Sequence, residues 1–290
     1  MGITFRESSI SSSEFTLFRD YINDICGVAI SPEKSYLIET RLAKIMIDAG
    51  FESFGDFYCH IASNDDAIMR QRIINAITTN ETLWFRDELP WKLMEDTILP
   101  KLLDEFEERK RTRVRIWCAA VSTGQEAYST AMCIDDYLSK NRVKRVGLPD
   151  FEILATDIST RVLETAKKGR YDKISIARGL GDWYKSKYFE EEGSTWSIDC
   201  KIKDAVRFEH FNLQNDCRPF GQFDIIFCRY VLIYFSNELR KAIIARMYDA
   251  LKDGGVMFTG NYALFEMFED RFDINHYGNL TYYTKRGVSG

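Results

Sequence analysis

The stretch that most constrains the fold lies near the middle of the chain, at residues 116–129, and reads IWCAAVSTGQEAYS. Residues 114–118 are mostly apolar and β-prone, which predicts a buried strand, and the small residues after them predict a tight turn. A helix follows, and Ser122 or Thr123 can provide its N-cap. Small residues let a ligand approach the backbone, as in nucleotide-binding βαβ units, although the spacing G-x-G-x-x-G is absent. A purely structural turn between strand and helix fits this stretch equally well.

Length and composition indicate a globular chain of one large or two modest domains. The chain has 290 residues, of which 45% are hydrophobic and 29% charged, and its net charge of −5 disfavours a general nucleic-acid binder. Seven cysteines without a C-x-x-C pair predict reduced thiols. The three histidines, His60, His210 and His276, lie far apart, so we expect no metal site. Without a signal peptide or an apolar run of about 20 residues, we expect a cytoplasmic protein that is not membrane-embedded.

Residues 1–80 are predicted to form an all-α N-terminal domain. Ser11 and Glu14 fit a capping box for the first helix, and Ser31-Pro32 fits the start of a second. Further helices are predicted over residues 53–62 and 65–78. Three basic residues fall on one side of the second helix: Lys34, Arg41 and Lys44. An ordinary solvated face and a docking surface both explain this pattern.

Residues 81–290 alternate between strand and helix patterns, which predicts a doubly wound, Rossmann-like α/β sheet. A helix from Pro90 to about Lys110 precedes the strands, which are predicted over residues 114–118, 151–155, 206–211, 223–228 and 256–259. The last two strands, 272–276 and 280–284, can pair through Gly278-Asn279 as an antiparallel edge. Residues 188–207 alternate and carry turn residues, so they predict a small antiparallel β insertion.

An acidic residue, Asp157, follows the second predicted strand. At this position in α/β nucleotide folds a carboxylate accepts hydrogen bonds from ribose hydroxyls. Asp157 could equally cap the helix predicted from Thr160. The sequence alone does not separate these two roles.

Five motifs in order along the chain resemble the S-adenosylmethionine-dependent class I methyltransferases and, more narrowly, the chemotaxis receptor methyltransferases (the CheR family). They are Asn80-x-Thr82-x-x-Phe85-Arg86, the turn at 119–129, Thr156-Asp157-Ile158, Asn212-Leu213, and the run at 223–235 that contains Arg229, Val231 and Tyr234. The helical N-terminal part and the β insertion also lie where that family has them.

The resemblance implies a role for each matching position. Asp157 would hold the ribose hydroxyls, Asn212 and Leu213 would border the adenine, and Arg86 and Tyr234 would act in catalysis, facing the transferred methyl group and the incoming carboxylate. The complete cofactor-binding set implied by the family is Asn80, Thr82, Arg86, Glu126, Asp157, Asn212, Leu213, Arg229 and Tyr230. Three positions depart from the family pattern: Gln125 replaces glutamate, Ala127 replaces proline and Tyr230 replaces asparagine. The Tyr230 phenol would either stack on the ligand or reshape the pocket.

The implied reaction is methyl transfer from S-adenosylmethionine to receptor glutamates, giving γ-methyl esters and S-adenosylhomocysteine, with no metal. Glutamate is ionised at neutral pH, so the reaction requires no general base. With this family in view, Lys34, Arg41 and Lys44 would bind the acidic methylation helices of chemotaxis receptors. The β insertion could also bind a receptor's C-terminal peptide by strand addition. Two alternatives stay open: a methyltransferase with another substrate, and a scaffold that binds the cofactor without turnover.

Overall fold

A computed structural model describes residues 10–260 and 271–287. Its N-terminal part contains the helices α1 (Ser12–Cys26), α2 (Ser35–Asp48), α3 (Phe54–Ser63) and α4 (Ala67–Ile77), with a 3-10 turn at Pro32–Lys34. The predicted capping box of α1 is confirmed, because Ser11 N donates to Glu14 Oε2 at 2.9 Å and Glu14 N donates to Ser11 Oγ at 3.3 Å. The apolar stripe of α1 packs into the helical core, where the Phe18 and Phe54 rings meet edge to face at 5.8 Å.

A long helix connects this part to the sheet. It consists of α5 (Glu88–Leu93), a π-helical segment (Met94–Ile98) and α6 (Leu99–Glu107), close to the single helix predicted from Pro90 to about Lys110. The π segment ends just before Pro100. Proline has no N–H to donate to the preceding turn, so the regular α-helical ladder is interrupted here.

The strands and remaining helices alternate as the sequence predicts. The strands are β1 (Val114–Ala119), β2 (Phe151–Asp157), β3 (Arg170–Asp172), β4 (Phe189–Glu192), β5 (Thr195–Ile198), β6 (Val206–His210), β7 (Phe223–Phe227), β8 (Leu251–Phe258), β9 (Phe272–Tyr277) and β10 (Leu280–Lys285). The helices are α7 (Gln125–Lys140), α8 (Thr160–Lys168), α9 (Lys173–Ala177), α10 (Asp182–Tyr188), α11 (Cys200–Asp204) and α12 (Asn237–Ala250).

Seven strands form the main sheet in the order β6-β2-β1-β7-β8-β10-β9. The strands from β6 to β8 pair in parallel, whereas β10 pairs antiparallel with both β8 and β9. The doubly wound sheet with an antiparallel edge is therefore confirmed. Because β1, β2 and β7 are parallel neighbours, the loops at their carboxyl ends meet at one edge of the sheet.

The predicted β insertion is present as a second sheet, in the order β3-β5-β4. Its predicted span of 188–207 was wrong at its start, because the strand Arg170–Asp172 joins this sheet from outside that span. The strand predicted over residues 206–211 belongs to the main sheet, as expected, and forms β6 there. The three residues of β3 are too few to show an alternating pattern, and their pairing partner lies more than twenty residues away.

Polar contacts hold the helical part against the carboxyl end of β2. Asn75 Oδ1 accepts a hydrogen bond from Ser159 Oγ at 2.9 Å, and Asn75 Nδ2 donates to Thr160 Oγ1 at 3.1 Å. Gln71 Nε2 donates to the carbonyl oxygen of Ile158 at 3.0 Å. These contacts leave a cleft between the sheet and the helical part. Within residues 10–260 and 271–287, no helix is long and apolar enough to cross a membrane.

Candidate active site

The cleft has a volume of about 420 Å³ and lies at the carboxyl ends of β1, β2 and β7. Its volume is within the range of small-molecule sites, and its place in the sheet is where open α/β folds bind ligands. Twelve of the predicted site residues line it: Lys34, Arg41, Asn80, Thr82, Arg86, Glu126, Asp157, Asn212, Leu213, Arg229, Tyr230 and Tyr234. Lys44 is exposed and does not belong to this lining.

The loop after β1 adopts an unusual backbone conformation. Ala120, Ser122 and Gly124 all have positive φ angles, of 58°, 55° and 96°. Gly124 is the N-cap of α7, and no side chain caps this helix, so the prediction that Ser122 or Thr123 caps it was wrong. Ser122 Oγ instead donates to the carbonyl oxygen of Asn80 at 2.9 Å. The loop is thereby fixed to the segment that follows the helical part, and non-glycine residues in this region of φ are often part of functional sites.

Asp157 joins two of the loops that form the cleft. Its Oδ2 accepts a hydrogen bond from Ser122 N at 2.8 Å, and its Oδ1 accepts one from Ser159 N, also at 2.8 Å. Ser159, not Asp157, is the N-cap residue of α8. Burial raises the pKa of Asp157, against the effect of the two backbone N–H groups. The carboxylate is thus held in a fixed orientation, with lone pairs left for further donors.

Arg229 lies at the centre of an ion-pair network under the cleft. Its side chain is only 2% exposed, and its Nη1 donates to Glu126 Oε2 at 2.9 Å while its Nη2 contacts Asp87 Oδ2 at 2.6 Å. Burial raises the pKa of Glu126, and the guanidinium of Arg229 opposes that shift. Arg229 Nε is buried and has no hydrogen-bond partner among the residues that the structure describes.

Arg86 has a different environment, although it lines the same cleft. Its guanidinium carbon lies 3.5 Å from the ring centroid of Tyr230, and its only hydrogen bond to a described residue is a long one, 3.5 Å from Nη1 to the carbonyl oxygen of Glu81. It forms no ion pair within residues 10–260 and 271–287. Most of its N–H groups are therefore available to a carboxylate in the cleft.

The adenine-side residues predicted from the sequence, Asn212 and Leu213, lie together at the cleft wall. The amide of Asn212 is already engaged: its Nδ2 donates to the carbonyl oxygen of Ile25 at 3.1 Å and to Gln214 Oε1 at 3.0 Å. Its Oδ1 accepts a hydrogen bond from Gln214 N at 3.0 Å. Asn212 therefore connects the helical part to the sheet, whereas Leu213 is a buried apolar residue in the wall.

The predicted basic face is divided between two environments. Arg41 points inward, where its Nη1 donates to the carbonyl oxygen of Ile77 and its Nη2 contacts Thr79 Oγ1 at 3.4 Å. Lys34 lies in the 3-10 turn before α2, not in the α-helix itself, and both Lys34 and Lys44 are exposed. The interpretation of the three residues as one continuous helical face was therefore only partly correct.

Sequence reasoning missed Asp87 and Trp91. Asp87 bridges Arg229 and Tyr230, and Trp91 Nε1 donates to the carbonyl oxygen of Arg86 at 3.2 Å. The only local signal at Asp87 is its place just before a helix. An acidic residue at such a place predicts a helix cap and not an ion pair with a distant arginine. Asp87 makes no side-chain cap and has a φ of 58°.

Tyr234 lies in a 3-10 turn at Leu232–Tyr234, after β7. Its carbonyl oxygen accepts a hydrogen bond from Ala29 N at 2.8 Å, which ties this turn to the segment between α1 and α2. Asn80 and Thr82 lie in the irregular segment between α4 and α5, and both line the cleft. Both sides of the cleft are therefore formed by loops anchored across the two parts of the molecule.

A doubly wound sheet with an antiparallel edge, and an acidic residue at the end of its second strand, place the chain in the class of nucleotide-binding α/β folds. Comparison with family models then identifies the family. A model described as "CheR methyltransferase, SAM binding domain" matches residues 80–278, and "CheR methyltransferase, all-alpha domain" matches residues 13–78. The chain belongs to the CheR family of chemotaxis methyltransferases.

Similar proteins from several bacteria carry the same description. The chemotaxis protein methyltransferase Cher2 of Pseudomonas putida is 37% identical over 254 residues, which cover 87% of this chain and 90% of that protein. The chemotaxis protein methyltransferase of Vibrio parahaemolyticus is 35% identical over 92% of this chain and 94% of its own length. The corresponding protein of Borreliella burgdorferi is 31% identical over 87% and 88%.

Proposed function

We propose that this protein transfers methyl groups from S-adenosylmethionine to glutamate side chains of chemotaxis receptors in the cytoplasm, giving γ-methyl esters. The observation that carries this proposal is the arrangement of Arg86 and Asp157 in one cleft. Asp157 offers a fixed carboxylate to hydroxyl donors, and Arg86, whose guanidinium forms no ion pair with the described residues, offers its N–H groups to a carboxylate. A carboxylate that suits ribose hydroxyls and a guanidinium that suits a glutamate carboxylate thus line one cleft, in a chain of the CheR family.

The residues present fit the cofactor of this family. Asp157 retains lone pairs for the ribose hydroxyls, and Leu213 offers an apolar surface to the adenine. Glu126 suits an ammonium group, and the unpartnered Nε of Arg229 suits an acceptor such as a carboxylate. Asn212 would shape the adenine side as part of the wall, since its own amide is engaged by Ile25 and Gln214.

When bound, S-adenosylmethionine supplies a methyl group that is electrophilic because it is attached to a sulfonium. The chain's own residues would bind and orient the glutamate carboxylate, which is ionised at neutral pH and needs no general base. Arg86 would position it through its planar fork of donors, and Tyr234 would border the same end of the cleft. The walls would exclude water, which competes for the carboxylate lone pairs.

The receptor would approach over the rim of the cleft nearest to α2. Lys34 and Lys44 are exposed, just before and on α2, and Arg41 of the same helix lines the cleft, so α2 and the turn before it carry three basic side chains, beside the exposed Glu33. Such a surface suits an acidic methylation helix. A receptor C-terminal peptide could add to an edge strand of the small sheet, whose edges are β3 and β4.

Incubation with a purified cytoplasmic receptor fragment and S-adenosylmethionine carrying a radiolabelled methyl group tests the proposal. We expect label on the fragment that alkali releases as methanol, because carboxyl methyl esters hydrolyse in base whereas N-methyl groups do not. Asp157→Ala is the matched variant and should abolish labelling. Binding of S-adenosylhomocysteine without any labelling would favour a scaffold, and alkali-stable label would favour another substrate.

A further inference from the structure

The phenol of Tyr230 stacks beneath the guanidinium of Arg86, at 3.5 Å from ring centroid to guanidinium carbon. We infer that Tyr230 is a positioning residue, which holds Arg86 in the orientation that the incoming carboxylate requires. The inference rests on the proposed function for the role of Arg86. It requires no direct contact between Tyr230 and the cofactor.

The hydroxyl of Tyr230 fixes the ring from its other end. It donates to Asp87 Oδ2, the same oxygen that Arg229 Nη2 contacts at 2.6 Å. Arg229 is itself held by Glu126. The ring is therefore anchored to a buried ion-pair network. Its face supports Arg86, which forms no ion pair with a described residue.

The ring is also packed from the side of β8. Gly260, just beyond the end of β8, lies so close that a Cβ there would be 3.2 Å from Tyr230 Cε2 and 3.3 Å from Tyr230 Cζ. Arg86 contacts the phenol, and the backbone at Gly260 leaves no room for a side chain beside it. A side chain confined in this way has little freedom to move aside, so it supports Arg86 in one place.

The backbone at Tyr230 is strained, which a purely space-filling role does not require. Its φ is 59°, a left-handed conformation that is unfavourable for most residues and more accessible to asparagine. Strain of this kind persists where the surroundings impose it, typically in functional sites. Tyr230 contacts Arg86 through its ring and Asp87 through its hydroxyl. Asparagine, without an aromatic ring, could not reproduce these contacts.

Three substitutions separate the ring from the hydroxyl. Tyr230→Phe keeps the ring but loses the bond to Asp87, Tyr230→Leu loses both, and Tyr230→Asn loses both while relieving the strain. We expect the kcat for receptor methylation to fall about tenfold or more in the last two variants and less than about threefold in Tyr230→Phe. The Kd for S-adenosylhomocysteine should rise by a smaller factor than kcat falls in Tyr230→Leu and Tyr230→Asn, since the ring acts on the incoming carboxylate through Arg86. Tyr230→Asn should keep the wild-type Tm or exceed it, so that unfolding does not explain its loss.

A chemical probe tests the inference without turnover. Phenylglyoxal modifies accessible arginines, and the rate at Arg86 can be followed by mass spectrometry of peptides, with Arg218, whose side chain is 82% exposed, as internal reference. We expect Tyr230→Leu to raise the relative rate at Arg86 about threefold, and Tyr230→Phe to leave it unchanged within about twofold. Equal rates at Arg86 in wild type and Tyr230→Leu would overturn the inference. A wild type that methylates no receptor glutamate would overturn the proposed function instead, while the rate at Arg86 would still report on Tyr230.

Discussion

The backbone amide of Ser122 donates to Asp157 Oδ2 at 2.8 Å, and this bond connects the carboxyl ends of β1 and β2. Ser122 adopts a φ of 55°, so the amide is turned toward the carboxylate by a strained loop. The same carboxylate accepts Ser159 N through its other oxygen. Asp157 therefore has a structural task as well as the proposed ribose-binding task, and the two can be separated by experiment.

Replacing Asp157 by asparagine should reduce both the stability of the fold and the affinity for the cofactor. The amide nitrogen of asparagine would face either Ser122 N or Ser159 N, donor against donor, so we expect a loss of about 1–3 kcal/mol in the free energy of unfolding. The Kd for S-adenosylhomocysteine should rise by at least about tenfold, which corresponds to ~1.4 kcal/mol. Calorimetric titration and urea unfolding measure the two effects, with the exposed Asp249→Asn as control. Unchanged cofactor affinity would remove Asp157 from the proposed site.

The pH dependence of stability provides an independent test of Asp157. Burial raises its pKa above the ordinary value of 3.8, so between the two values the folded chain binds more protons than the unfolded chain. The contribution of this group to the free energy of unfolding must then fall as pH rises through that window. We expect the free energy of unfolding of wild type, minus that of Asp157→Asn, to decrease as pH rises from below 3.8 and to level off above the raised pKa. Urea unfolding over a pH series measures it, and a difference that increases with pH would contradict the raised pKa.

Sequence patterns predicted the parts of the fold that depend on local periodicity and known motif order. The strand and helix around Gly124, the hairpin at Gly278 and the capping box at Ser11 all carry signals within a few residues. The motifs also led to ten residues that line one cleft, and the basic pattern of the second helix added two more, Lys34 and Arg41. The strand at Arg170–Asp172 was missed because its pairing with Thr195–Ser197 is non-local.

The failures within the site have a similar cause. Ser122 was expected to cap α7, but its hydroxyl binds a carbonyl 42 residues earlier in the chain, at Asn80. Asp87, which the sequence analysis did not single out, pairs with Arg229, 142 residues away. Neither the backbone φ of a loop residue nor a long-range partner is encoded in the spacing of nearby residues. Such contacts are decided by tertiary packing.

Asn75 should be important for holding the helical part on the sheet. Its side chain accepts from Ser159 Oγ and donates to Thr160 Oγ1, so Asn75→Ala leaves two polar groups at the interface without their partner. We expect a loss of about 1–3 kcal/mol in the free energy of unfolding and a weaker cofactor complex, because α4 leads into the segment that lines the cleft. Urea unfolding and calorimetry measure these effects. Asn141→Ala, at an exposed helix end, is the matched control, and equal stabilities of the two variants would contradict the role of Asn75.

Lys44 offers a cleaner test of receptor docking than Arg41 does. Charge reversal at Arg41 would break its bond to the carbonyl oxygen of Ile77 and disturb the cleft wall, whereas Lys44 is exposed and outside the wall. We expect Lys44→Glu to raise the KM for a receptor fragment about threefold to tenfold, with a smaller effect at high salt, and to leave the Kd for S-adenosylhomocysteine unchanged. Lys241→Glu, on the exposed face of α12, is the charge-matched control. An unchanged KM, or an equal rise in both variants, would argue against docking at α2.

Gly124→Ala should destabilise the junction of β1 and α7 through two separate effects. The φ of Gly124 is 96°, so any side chain there is strained, and its Cβ would lie 3.0 Å from Ala166 Cβ and 3.3 Å from Phe208 Cζ. Gly50 provides a matched control, because its φ is 86° and a Cβ there would meet no atom of the described residues within 4 Å. We therefore expect Gly50→Ala to cost about 1–2 kcal/mol from backbone strain alone, and Gly124→Ala to cost a further ~1–3 kcal/mol from overpacking.

Urea unfolding of the two glycine variants separates strain from overpacking, since the strain is common to both. The Kd for S-adenosylhomocysteine should rise only in Gly124→Ala, because Gly124 is the N-cap of α7 and Glu126, in the first turn of that helix, lines the cleft. Equal losses of stability in the two variants would mean that the junction relaxes around the added methyl group. In that case the position of Glu126 beside Arg229 would not depend on the tight packing of α7 against α8 and β6.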